Sequence, residues 1–210
     1  MDTVTYLPGL RSAGFALLAV VIIFMIGAFS AAYFRKMPLP QTPLEQLAAI
    51  ADDRVGWTAQ AVIFPVAYLA TVLIFGYLAA QLPGPWPRWL AIGATILCVA
   101  GCLLWLPISL HRLELGAHAA ELLRTFDPNA PVEVGRNTWV FWPHTLCFLA
   151  AIALLGAALA LAGALPMLGW VVAALAAASM VLGPLVLHDW PPFVSYVILL
   201  VMALGLMRAG

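Results

Sequence analysis

The chain has 210 residues, 65% of them hydrophobic and 9% charged, and its nine basic and nine acidic side chains sum to a formal net charge of zero. A soluble domain carries about 45–50% apolar and about 25% charged residues, so water is excluded as the solvent for most of this chain. Zero net charge gives a nucleic-acid partner no electrostatic support. The composition specifies an all-α membrane protein, because in lipid the backbone polar groups must be satisfied inside helices or a closed barrel.

The first apolar run, 14–34, is long enough to span, which takes about 20 residues. A cleavable signal peptide is the competing interpretation, since AFSAA supplies small residues. Only Arg11 precedes the run, while Arg35 and Lys36 follow it, and that order fits a retained helix whose C-terminal end is cytoplasmic. After the proline-broken KMPLPQTP, Thr42 reads as an N-cap with Pro43 at the first helical position and Glu45 three residues after the cap. Leu44, Leu47, Ala48 and Ala51 make one apolar face. A short amphipathic helix over 43–53 is therefore expected on the membrane surface, the alternative being a surface helix without lipid contact. It ends in Asp52, Asp53 and Arg54.

The second span is expected over 57–80, with Gln60 its only strongly polar side chain and Pro65 a kink that lipid-embedded neighbours accommodate. The tight QLPGPWP turn returns the third span, 89–110, as an antiparallel neighbour. The helical pattern continues past it. Leu110, Leu113, Ala117, Ala120 and Leu123 keep an apolar stripe, and His111, Glu114, His118 and Glu121 a parallel polar one. The third helix is thus expected to project beyond the bilayer until Asp127-Pro128-Asn129 ends it, within a polar segment 111–137.

The remaining spans are expected over 138–163, 165–187 and 193–207, the last of them short. The fourth and fifth form a hairpin, and their small residues (Gly156 and Ala160; Gly169, Ala173 and Ala177) predict close backbone approach. Trp57, Trp86, Trp89, Trp139, Trp142, Trp170 and Trp190 fall at predicted ends, where indole rings favour the headgroup level. The expected fold is a bundle of six transmembrane helices in one domain, with one short interfacial amphipathic helix and a cytoplasmic extension of the third helix.

Six spans place both termini on one side, with Arg11, Arg88 and Arg208. Arg35, Lys36, Arg54, Arg112, Arg124 and Arg136 lie on the other, which the positive-inside rule makes cytoplasmic. The expected location is a bacterial cytoplasmic membrane with both termini outside. The bilayer is one partner, and a membrane-protein partner or a second copy of the chain is another.

LPMLGW at the start of the fifth span and WPPFVSYVILLVMALGLMR through the sixth resemble the end of a bacterial family of six- to seven-helix membrane proteins without assigned function. The first half is similar in layout only. The resemblance implies the fold and supplies no catalytic residues.

No Asp, Glu, Lys or Arg lies in the middle of a span, which argues against a proton-coupled carrier or pump. Cys98, Cys102 and Cys147 sit in apolar runs at neither zinc nor thioredoxin spacing and read as small packing residues. The candidate binding residues are His111, Glu114, His118, His144, His188 and Asp189. Two imidazoles such as His111 and His144 are the ligand set of a haem. His111, His144 and His188, with Asp189 or Glu114 beside them, are that of a metal, whose open coordination position would serve lipid hydrolysis. No H-E-x-x-H or C-x-x-C-H motif supports either, and interface histidines also cap helix ends or bind headgroups. Glu114 and His118 also read as a plain intrahelical pair. Two functions are therefore weighed: a non-enzymatic accessory, scaffold or small apolar-molecule binding protein, and a metal- or haem-binding membrane enzyme or redox protein. No cofactor follows from the sequence.

Overall fold

The structure, a computed structural model, describes residues 9–31, 40–127, 138–183, 185 and 192–209. The described residues form helices and turns only. These are α1 (Leu10–Ser30), α2 (Pro43–Asp52), α3 (Arg54–Gln81), α4 (Pro85–Arg124), a 3-10 turn (Thr138–Val140), α5 (Phe141–Leu161), α6 (Leu168–Leu182) and α7 (Phe193–Ala209). By length and apolarity α1, α3, α4 and α5 can each cross a membrane; α6 and α7 are shorter apolar helices.

Helix ends follow local chemistry and shift several expected bounds. Gly9, in the left-handed region at φ 86°, starts α1 at Leu10, four residues early. The Thr42 side chain accepts from the Glu45 amide, and the Glu45 carboxylate accepts from the Thr42 amide, so the expected capping box is formed. The Asp53 carboxylate accepts from the Gly56 amide at 3.1 Å and starts α3 at Arg54. The acidic end of α2 is thus also the cap of α3. Both α3 and α4 run unbroken through their internal prolines, Pro65 and Pro107. α4 is a single helix of 40 residues, so the third span and its projection are one element. Gly163, at φ 71°, ends the α5 turn, where the amides of Ala164 and Leu165 bond back to the Leu159 carbonyl.

Sequential helices pack as neighbours from α3 to α7, and α7 returns to α1, which itself packs on α3, so six helices close a ring. The short connections from α3 to α4 and from α5 to α6 force those two pairs antiparallel. The start of α1 meets the end of α7, where a Cβ on Gly14 would lie 2.7 Å from the Met207 nitrogen. α5 and α6 approach as their small residues predict. A Cβ on Gly156 would lie 2.7 Å from the Gly169 carbonyl oxygen, and one on Gly169 2.8 Å from the Ala160 nitrogen. Ala177, expected on the same stripe, is exposed; α6 buries Gly169, Val172, Ala176 and Ser179 instead.

Two expected faces are corrected. α2 buries Leu47, Ala49 and Ile50, whereas Leu44 and Ala48 are exposed. Its apolar side is taken up by Leu115 and Ala119 on the projecting part of α4, together with Ala31 and Trp57. On that projection the expected stripe is also rotated. Leu110, Ala117 and Ala120 are exposed, and Leu115, Gly116 and Ala119 are buried. The small Gly116 lets Trp57 in, since a Cβ there would lie 2.9 Å from the Trp57 Cδ1. Trp57, expected at the headgroup level, is only 3% exposed for this reason.

Candidate functional site

The interior of the ring is an aromatic cluster drawn from five helices. Phe24 comes from α1, Phe64 and Tyr68 from α3, Trp105 from α4, Phe141, His144 and Phe148 from α5, and Tyr196 from α7. Phe24 stacks on Tyr196 at 3.7 Å between centroids and on Phe64 at 4.6 Å. At the centre, the ring of His144 lies 4.6 Å from that of Tyr68 and 4.7 Å from that of Trp105, and Tyr68 and Trp105 are 5.4 Å apart. All three residues are at most 1% exposed.

Hydrogen bonding is incomplete at this centre. His144 Nδ1 is 2.7 Å from the Gly101 carbonyl oxygen. A carbonyl only accepts, so Nδ1 carries the proton and, in the neutral ring, Nε2 is left as an acceptor. Among the described residues Nε2 has no partner, and neither do Tyr68 Oη and Trp105 Nε1. Ser109 Oγ, one turn along α4 from Trp105, and Ser195 Oγ, beside Tyr196, are in the same state. Tyr196 Oη meets Thr71 Oγ1 at 3.3 Å, and Thr71 donates to the Ala67 carbonyl. The centre therefore offers one acceptor (His144), one donor (Trp105) and one group that does either (Tyr68). Leaving such buried groups unmatched costs about 1–3 kcal/mol each.

Above this centre, towards the projection of α4, lies a cation. The Arg112 guanidinium is 5.5 Å from the Trp57 ring centroid and 5.6 Å from that of Trp105, and it donates to Gln60 Oε1 at 2.8 Å. Trp57 Nε1 donates to the Arg112 carbonyl at 2.8 Å, and Gln60 Nε2 to the Ala28 carbonyl at 3.4 Å. Gln60 thereby joins α1, α3 and α4. Trp105 is the wall shared by the cation and the unmatched centre.

The expected histidine set is described in part. His144 is neither a helix cap nor a headgroup ligand but a core residue at the level of Gly101 and Trp105. His111 lies six residues beyond Trp105, about 9 Å along the helix, and is half-buried. Glu114 and His118 are exposed, and the His118 ring contacts the Glu114 backbone carbonyl at 3.0 Å rather than its carboxylate. Among the described residues no three His, Cys, Asp or Glu come together to hold a metal. His188 and Asp189 lie outside the described residues. The three cysteines are free thiols, Cys98 buried in the core.

Tyr68, Trp105 and Arg112 were not singled out by residue chemistry. Trp105 nonetheless carried a signal, being the one tryptophan away from any predicted span end. No family model, no curated protein and no solved structure matches the chain.

Proposed function

We propose that this is a six-span integral membrane protein without catalytic chemistry of its own, which binds a small, mainly apolar molecule in its aromatic centre. α2 lies at the membrane surface on the projecting end of α4, both termini are outside, and the layout is that of the bacterial family its C-terminal segments resemble. The observation that carries the binding role is the set of unmatched atoms on Tyr68, Trp105 and His144 within one ring-walled interior. Three apolar residues of like size would fill the space without the cost, so a packing role alone gives no reason for the polar atoms. A neutral guest with one hydroxyl offsets it, donating to His144 Nε2 and accepting from Trp105 or Tyr68.

The test uses phenol as probe and toluene as its hydroxyl-less counterpart, with the melting midpoint of the detergent-solubilised full chain as readout. Phenol is expected to raise the midpoint of the wild-type protein, and toluene to raise it less. The double variant Tyr68→Phe/His144→Phe is expected to lose the difference. Equal responses to phenol and toluene in the wild-type chain would remove the polar centre from the function.

A further inference from the structure

At the opposite end of the α3–α4 hairpin an open groove of about 500 Å³ faces outward. Gly76, Ala79 and Ala80 form one wall, Ile92 and Ile96 the other, and Arg88 stands at its mouth. The groove exists because α3 presents no side chain there larger than a methyl. An added Cβ on Gly76 would meet only Thr95 Cγ2, at 3.8 Å. From Arg88 to Ile96 is eight residues, about 12 Å of helix, against a hydrocarbon core of about 30 Å.

Arg88 is exposed, and no hydrogen bond or ion pair holds it among the described residues. Trp86 and Trp89, 76% and 66% exposed, flank it in the same turn. Exposed indoles mark the headgroup level, so the guanidinium stands where lipid phosphates lie and the groove descends from it into the hydrocarbon. Both helices are among those long and apolar enough to span.

We infer that this groove is a phospholipid site, with the lipid phosphate on Arg88 and the upper part of one acyl chain between α3 and α4. The cation supplies the charge complementarity, through the fork geometry with which guanidinium binds phosphate oxygens. The methyl-only wall supplies the room for a chain, which a leucine at position 76 or 80 would fill. This site is separate from the aromatic centre and rests only on α3 and α4 crossing the bilayer.

Native mass spectrometry of the full chain in micelles tests it, with dioleoylphosphatidylglycerol and dioleoylglycerol as probes. The phospholipid is expected to stay bound and the diglyceride, which lacks the phosphate, to be lost. Arg88→Gln should weaken retention about tenfold, the loss of a charge-assisted contact. Gly76→Leu should also release the phospholipid; should that variant not fold, Ala80→Leu at the exposed lip makes the same test. Equal retention of the two lipids, or of the phospholipid by the Arg88→Gln chain, overturns the headgroup contact. Undiminished retention by a folded leucine variant overturns the groove. A chain that stays soluble without detergent would instead remove the membrane premise.

Discussion

His144 Nδ1 donates to the Gly101 carbonyl across 2.7 Å, joining the first turn of α5 to the middle of α4. That one contact fixes the tautomer of the ring and so decides which polar atom, Nε2, the centre of the bundle presents. It also gives His144 a structural role that can be weighed apart from binding.

His144→Ala removes the ring and its bond, and is expected to cost about 3 kcal/mol through a cavity beside Tyr68, Trp105 and Phe148. His144→Phe keeps the volume, loses the Gly101 bond at about 1 kcal/mol and removes the unmatched Nε2, which offsets about as much, so it should leave stability nearly unchanged. Reversible unfolding in mixed micelles measures both. Equal losses would mean that the Gly101 contact, not ring packing, dominates.

Gly156→Leu should separate α5 from α6, because even its Cβ would lie 2.7 Å from the Gly169 carbonyl oxygen. Overpacking against backbone that cannot yield predicts a loss of about 3 kcal/mol. Ala177→Leu, on the exposed side of α6, should leave the melting midpoint nearly unchanged.

Leu47→Lys is expected to release α2 from α4, since Leu47 is fully buried against Leu115, Ala119 and their neighbours. Leu44→Lys, at an exposed position, should be tolerated. Limited proteolysis between residues 40 and 53 reads the difference. Equal resistance of the two variants would place α2 on lipid alone.

Amides from Gln41 and Thr42 bond the Glu45 carboxylate and hold its pKa below the ordinary value. A lowered folded-state pKa contributes stability that is fully present above the ordinary carboxylate value. That stability is lost as pH falls through the depressed value. Hydrogen exchange at the start of α2 should therefore accelerate in acid beyond its intrinsic pH dependence. Glu45→Gln, which keeps a capping side chain, should abolish that excess.

Apolar run length made most of the helices legible, and so did the Thr42–Glu45 box, because both are local signals. The close approach of α5 and α6 through Gly156 and Gly169 was legible, but the buried faces of α2 and of the projecting part of α4 were not. Leu110 and Ala117 looked like a stripe by spacing, but Gly116 and Ala119 are what Trp57 and α2 pack against. Hydrophobicity gives a glycine no weight, yet a missing side chain is what admits an indole. The centre was hidden for a related reason. Tyr68, Trp105 and His144 come from three helices, and only the closed ring brings them together. Titratable spacing favoured His111, Glu114 and His118, which lie further along α4 than Trp105.

The unbroken course of α4 ties two packing regions to one element. Forty residues make a rod of about 60 Å, twice the hydrocarbon thickness of about 30 Å. Trp105 stands on it inside the bundle; Leu115 and Ala119, on which α2 rests, stand on it further out. Between those points lies Pro107, which has no amide hydrogen to donate, yet the helix continues through it. Trp105 and the seat of α2 at Leu115 are thus ten positions, about 15 Å, apart along one continuous helix, so the packing of the aromatic centre and that of α2 share a single element.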